Sequence, residues 1–141
     1  MFERTLCAVA ALLLTAHAAG QDLLEADVAF RSSARLVKPG LIEIRYDTAP
    51  GYYLYRDRLA FSVDPATSAL GKPKLPPGKV KHDEFFGDSV IYRNHTVVTI
   101  PLTAAAGAQS VTLTADLQGC ADIGVCYPPV RRTFALSTTP K

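Results

Sequence analysis

Short runs of alternating apolar and polar residues recur along most of the chain. In the segment 40–47, Ile42, Ile44 and Tyr46 fall on one side and Glu43, Arg45 and Asp47 on the other. A period of two with one apolar face predicts a half-buried strand. Leu59, Phe61 and Val63 alternate with Ala60, Ser62 and Asp64. Val98, Ile100 and Leu102 repeat the pattern, and Phe134 and Leu136 close the chain with it. The cleanest case is Val111, Leu113, Ala115 and Leu117 against Thr112, Thr114, Asp116 and Gln118. Nowhere do apolar residues keep helical spacing for three turns. Turn-forming residues separate the runs: Lys38-Pro39-Gly40, Ala49-Pro50-Gly51, Leu75-Pro76-Pro77-Gly78 and Ala106-Gly107.

Many short strands at short spacing predict an all-β protein built as an antiparallel sandwich or barrel. A mature length of about 120 residues suits an immunoglobulin-like β-sandwich of roughly seven to nine strands. The 10 prolines and 9 glycines in 141 residues also argue against long helices. With 48% hydrophobic and 20% charged residues, the chain has the composition of a folded domain and not of a disordered one. Its net charge of +2, from 15 basic and 13 acidic residues, is too balanced for a surface that tracks phosphates. Nucleic acid is therefore excluded as a partner.

The first 18 residues read as a secretory signal peptide: Arg4, the apolar run Leu6–Leu14, then small residues in Ala16-His17-Ala18. The run is shorter than the roughly 20 residues of a membrane span, and no second such stretch follows. The expected domain is residues 19–141, exported to an envelope compartment without membrane insertion. Cleavage removes Cys7 and leaves Cys120 and Cys126, most simply as one disulfide in an oxidising compartment.

Cys120 and Cys126 lie in Gln118-Gly119-Cys120-Ala121-Asp122-Ile123-Gly124-Val125-Cys126-Tyr127-Pro128-Pro129. The strand 111–117 leads in and 131–136 leads out, so the segment reads as an exposed hairpin tip whose arms hold the sulfurs opposite each other. A bridge closing so short a loop restrains the unfolded chain by only about 2–3 kcal/mol. Spacing alone leaves a plain structural disulfide and a redox-active one equally open. The pair lacks the Cys-x-x-Cys spacing and βαβ context of a thioredoxin site. His82 and His95 are too scattered to complete a zinc set with it, so no metal and no cofactor is expected.

Three segments, in order, resemble the N-terminal periplasmic domain of DsbD, the bacterial thiol:disulfide interchange protein. The cysteine segment is similar to that family's active-site hairpin. Gly51-Tyr52-Tyr53-Leu54-Tyr55-Arg56 is similar to its Gly-Tyr-Tyr-Leu-Tyr strand. His82-Asp83-Glu84-Phe85-Phe86-Gly87, with Ile91-Tyr92-Arg93 after it, is similar to its cap-loop region. The resemblance implies an immunoglobulin-like domain with protein-disulfide reductase-type activity. Such a domain takes electrons from a thioredoxin-like, DsbD C-terminal-type domain. It passes them to periplasmic disulfide isomerases and cytochrome c maturation thioredoxins. It also implies that Cys126 makes the mixed disulfide with partners, that Cys120 resolves it, and that Phe85 covers the disulfide until a partner displaces it. The family protein continues into transmembrane and thioredoxin-like domains. Were this domain encoded separately, its donor would be another chain.

The residues add detail beside the resemblance. Strand alternation sends Tyr53 and Tyr55 to one face, where a ring can lie beside the sulfurs. Phe85 and Phe86 stand in an otherwise polar, glycine-containing loop, 81–89, as expected of a lid or contact patch. Asp83, Glu84 and Gly87 belong to that loop, while Asp122, Tyr127 and Pro128 flank the cysteines. Pro128 and Pro129 stiffen the arm after Cys126. Arg131 and Arg132 would favour a nearby thiolate and Asp83, Glu84 and Asp122 would oppose it, so the sequence gives no net direction. The competing expectations are a secreted immunoglobulin-like binding module with an inert disulfide and a metal-delivery domain using the cysteines and a histidine. Lability of the disulfide separates the first from a redox carrier, and metal titration of the reduced protein tests the second.

Overall fold

The computed structural model describes residues 22–140. The proposed signal peptide lies outside the described residues. A short helix, α1 (Ala26–Ala29), leads into β1 (Phe30–Lys38) and β2 (Leu41–Thr48). Next come β3 (Tyr52–Tyr55), a single 3-10 turn at Arg56–Arg58, β4 (Ala60–Asp64) and β5 (Ala69–Leu70). The hairpin of β6 (Lys79–Asp83) and β7 (Gly87–Tyr92) precedes the long strands β8 (His95–Thr103) and β9 (Ser110–Leu117). The short pair β10 (Gly119–Ala121) and β11 (Val125–Cys126) and the final β12 (Val130–Ser137) complete the chain.

All strand pairing in the three sheets is antiparallel. The sheet orders are β1-β2-β8-β5, β12-β9-β4 and β11-β10-β3-β7-β6. The first two face each other across the alternating residues read from the sequence. Ile42, Ile44, Tyr46, Val98 and Ile100 come from one side, and Val111, Leu113, Ala115, Leu117 and Leu136 from the other. Each side chain so buried contributes roughly 1.5–3 kcal/mol. Such a core does not depend on a bridge closing a short loop.

The third sheet buries residues on both of its faces. Tyr52, Leu54, Tyr92 and Ala121 point into the main core. Tyr53, Tyr55, Ile91 and Cys120 point the opposite way, into a second, smaller apolar cluster against which Cys126 packs. This is the strand alternation expected of Tyr52–Tyr55.

The structure differs from the sequence reading in three places. Twelve strands are present among the described residues, more than seven to nine, because β5, β10 and β11 have only two or three residues each and β10 is separated from β9 by a change of sheet. β1 carries Ser32 and Ala34 at inward positions, too small and polar to register as an apolar face. The 81–89 segment is a hairpin instead of a loop: Lys81 pairs with Ser89, His82 with Asp88 and Asp83 with Gly87. Its turn is only Glu84-Phe85-Phe86, closed by Gly87 at φ 66°. A residue in the left-handed region after a tight three-residue turn favours glycine.

Candidate redox active site

The cysteines are carried by a change of sheet. β9 and β12 pair with each other along their whole length in one sheet. At Gln118 the chain leaves that sheet, and β10 joins β3 instead, with Gly119 opposite Leu54, Cys120 opposite Tyr53 and Ala121 opposite Tyr52. The backbones come so close here that a side chain at Gly119 would strike the Tyr53 carbonyl and lie 2.6 Å from the Phe30 ring. Asp122, Ile123 and Gly124 form the turn, with Gly124 at φ 96°. β11 then returns along β10 and sets Cys126 directly across from Cys120, 4.0 Å between Cα atoms, in a disulfide.

The two sulfurs have unequal surroundings. Cys120 is fully buried, whereas Cys126, on the outermost strand of the sheet, is partly exposed. The tip is therefore not exposed throughout, as the sequence suggested. The turn presents Ile123, 56% exposed, and Val125 to solvent beside Cys126.

Tyr55 is the hub of the site. Its hydroxyl lies 3.2 Å from Cys120 Sγ and 3.7 Å from Cys126 Sγ. It donates its one proton to Asp83 Oδ2, which also accepts from the Tyr53 hydroxyl at 2.9 Å. The other Asp83 oxygen accepts from the backbone amides of Phe85 (3.0 Å) and Phe86 (2.9 Å). Asp83 thus ties the turn to the tyrosines. Burial would push its carboxyl up, but hydrogen bonds from Tyr55, the Phe86 amide, Tyr53 and the Phe85 amide together hold it below its usual range. Burial, reinforced by Asp83, pushes the Tyr55 phenol up, so this hydroxyl keeps its proton across the physiological range.

The ring of Phe86 meets Tyr55 edge-on, 4.7 Å between centroids, and the Arg58 guanidinium lies over the Phe86 ring, 4.2 Å from its centroid. Phe85 is 43% exposed and forms no aromatic pair among the described residues. Glu84 is exposed at the turn, and Gly87 closes it. Tyr53 packs edge-on to Tyr55 at 5.4 Å and carries Lys81 and Arg93 over its face.

Other expected neighbours lie elsewhere. Tyr127 turns to the opposite side of the sheet, edge-on to Phe30 at 5.3 Å, and donates to the Leu24 carbonyl. It directly follows Cys126, so strand alternation sends it away from the sulfurs. Burial pushes its phenol up to about 12. Pro128 is exposed between β11 and β12. Asp122 is held by Arg93 through two hydrogen bonds of 3.0 and 2.8 Å, and that guanidinium holds its carboxyl below the usual range. Arg131 is bidentate to Asp116, and Arg132 pairs with Asp27. Neither arginine is held at the sulfurs, because each is engaged along β9 or α1. Besides Lys81, Arg58 and Arg93 are the cations that reach the aromatic cluster. Sequence reasoning missed both: Asp122 is 29 residues from Arg93, and no local pattern announces the pairing.

The comparisons with known proteins converge on one family. Residues 20–138 match the model of the thiol:disulfide interchange protein DsbD, N-terminal. The chain is 45% identical over 115 residues to DsbD 1 of Pseudomonas aeruginosa, covering 82% of this chain and 19% of that protein. It is 45% identical over 130 residues to DsbD of Ralstonia nicotianae, covering 92% of this chain and 21% of that protein. It thus spans about a fifth of the length of these curated relatives. The reduced DsbD N-terminal domain of Neisseria meningitidis superposes with a TM-score of 0.75 at 36% identity, over 84% of this chain and 96% of that one. The same domain in complex with the N-terminal domain of PilB gives a TM-score of 0.68 at 36% identity, over 81% and 87%. Fold, redox-capable disulfide and sequence agree, and the chain belongs to the family of DsbD N-terminal domains.

Proposed function

We propose that this chain is a periplasmic thiol–disulfide exchange domain of the protein-disulfide reductase type, delivered by the signal peptide at residues 1–18. It accepts two electrons from a thioredoxin-like, DsbD C-terminal-type donor, on the same or another chain. It holds them as the Cys120 and Cys126 thiols and passes them to periplasmic disulfide isomerases and cytochrome c maturation thioredoxins. The observation that carries this reading is the asymmetry of the disulfide, with Cys120 buried and Cys126 partly exposed on an outermost strand. Exchange requires a thiolate to reach one sulfur in line with the bond that breaks. An incoming thiolate finds Cys126 accessible and Cys120 not.

The electron path follows. A donor thiolate attacks Cys126 Sγ, the Cys120–Cys126 bond breaks, and the pair leaves on Cys120 as a thiolate. The donor's second thiolate then attacks its own mixed-disulfide sulfur and releases Cys126. The donor is oxidised to its disulfide and this chain is reduced to the dithiol. Toward an oxidised partner the sequence reverses: Cys126 attacks, and Cys120 resolves. A Cys120 thiol would donate to the Tyr55 oxygen, whose own proton is committed to Asp83.

The Glu84-Phe85-Phe86 turn acts as the cap. Phe86 lies on Tyr55, and Phe85 stands outward, available to a docking partner or to closure over Cys126. Ile123 and Val125 extend the apolar rim. The solved complex of a relative's domain with a PilB domain supports protein docking by this family. The test is incubation of the oxidised protein with a reduced thioredoxin-like donor, followed by alkylation of free thiols. A carrier gains two alkylated cysteines with matching oxidation of the donor. A disulfide untouched by the donor would make the chain a binding module with an inert bridge.

A further inference from the structure

Reduction removes the covalent link that holds β11. That strand has only two residues, pairs with β10 alone and has no neighbour on its other side. β10 is paired with β3 through its backbone, a hold that does not run through the disulfide. The question is what keeps Cys126 across from Cys120 once the disulfide opens.

Arg93 supplies a non-covalent hold on the turn between them. From the end of β7 it donates to both oxygens of Asp122, at 3.0 and 2.8 Å, and to the Tyr52 carbonyl at 3.2 Å. Its guanidinium lies 5.2 Å from the centroid of the Tyr53 ring. The Asp122 amide in turn donates to the Gly51 carbonyl at 2.8 Å. The first residue of the turn is thereby tied to two separate points of the scaffold, by its carboxylate and by its amide. An exposed ion pair alone contributes little. This one is bidentate, planar and backed by a third acceptor and a ring, so its effect is geometric.

We propose that Arg93 is a positioning residue of the active-site hairpin, holding the Asp122 turn, as Tyr127 on Phe30 holds the far end of β11, so that Cys126 stays within reach of Cys120 in the dithiol and mixed-disulfide states. The proposal rests on the exchange reading above. In the mixed disulfide, Cys120 thiolate attacks Cys126 Sγ, the Cys120–Cys126 bond forms, and the partner's sulfur leaves as a thiolate carrying the electron pair. The rate of that step and the stability of the resulting disulfide both scale with the effective concentration of one thiol at the other. Loosening the turn lowers it. Disulfide formation becomes less favourable, the midpoint potential moves to more positive values, and mixed disulfide accumulates.

The test is equilibration of the purified protein with glutathione redox buffers, comparing wild type with Arg93→Gln, Asp122→Asn, the double variant and Arg93→Lys. Each single loss should lower the equilibrium constant for disulfide formation about threefold to tenfold, a positive shift of about 15–30 mV at roughly 30 mV per tenfold. The double variant should shift no further than the larger single one. Arg93→Lys keeps the charge but not the fork, so it should stay shifted. Mixed disulfide with glutathione should persist correspondingly longer in every shifted variant. Wild-type potentials in folded Arg93→Gln and Asp122→Asn would overturn the proposal, as would full recovery by lysine, which would reduce the role to charge. If Arg93→Gln does not fold, Asp122→Asn at its exposed turn position carries the comparison. A wild-type protein inert toward every thioredoxin-like donor would remove the exchange reading instead, and the glutathione equilibria would still report on the clamp.

Discussion

The ring of Phe86 stands edge-on to that of Tyr55, 4.7 Å between centroids at 83°, and the same Tyr55 carries its hydroxyl to both sulfurs of the disulfide. The cap turn is thus coupled to the redox centre through one aromatic side chain. Edge-on aromatic pairs contribute about 0.5–1.5 kcal/mol beyond the area they bury, and a stacked guanidinium about 0.5–1 kcal/mol at an exposed site. Such a contact keeps the turn seated while leaving it within reach of displacement by a docking protein.

Reduction by a small thiol such as dithiothreitol should therefore be faster in Phe86→Ala than in wild type, by several-fold, with the fold intact. Phe85→Ala should have the smaller effect, since Phe86 and not Phe85 packs on the Tyr55 ring. Stopped-flow reduction followed by tyrosine fluorescence measures both. A larger acceleration in Phe85→Ala would mean that the turn covers the sulfurs through Phe85, and wild-type rates in both would remove the shield altogether.

Asp83 ties the cap to the site, and its ionisation sets a pH dependence. Its folded-state carboxyl is held below the ordinary value of 3.8. A depressed carboxylate stabilises the fold fully above its unfolded value and loses that contribution as pH falls through the folded one. The cap should stay ordered above about pH 4 and loosen below it. Amide hydrogen exchange of Phe85 and Phe86, corrected for intrinsic rates, should accelerate across that window. Asp83→Asn should show the faster exchange at neutral pH with little further change on acidification.

Gly119 is where the sheet change leaves no room for a side chain. A methyl group there would meet the Tyr53 carbonyl and the Phe30 ring. Overpacking of this kind costs about 1–3 kcal/mol, so Gly119→Ala should lose about that much unfolding free energy and unfold at a lower denaturant concentration. Phe30→Leu in the same background should recover part of the loss. Denaturant melts of the oxidised proteins test this, and a wild-type midpoint for Gly119→Ala would show that the two backbones separate freely.

The parts of this molecule legible in the sequence are those governed by local period. Ile42, Ile44 and Tyr46, and Val111 through Leu117, alternate because each strand has one face in the core, and the structure places them there. The split of Tyr52 and Leu54 from Tyr53 and Tyr55 follows from the same alternation. What stayed hidden depends on contacts between distant segments. Lys79–Asp83 has Val80 as its one apolar residue because β6 is an outermost strand, and the apolar residues of Gly87–Tyr92 are consecutive (Val90, Ile91, Tyr92) instead of alternating, so their pairing left no periodic trace. The sheet change at Gln118 buries Cys120, which does not follow from spacing, whereas the turning of Tyr127 away from the sulfurs follows from alternation and was open to the sequence. Arg58 on Phe86 and Arg93 on Asp122 are brought together only by the fold.

The most direct measurement is trapping of a partner by single-cysteine variants expressed in a bacterial periplasm and resolved on non-reducing gels. Cys120→Ser leaves the partly exposed Cys126 without its resolving partner, so it should accumulate a covalent complex with a thioredoxin-like protein that reductant dissolves. Cys126→Ser leaves only the buried Cys120 and should trap several-fold less. Cys120→Ala serves equally if serine is poorly tolerated in the buried position. Equal trapping by the two variants, or none by either, would contradict exchange through Cys126.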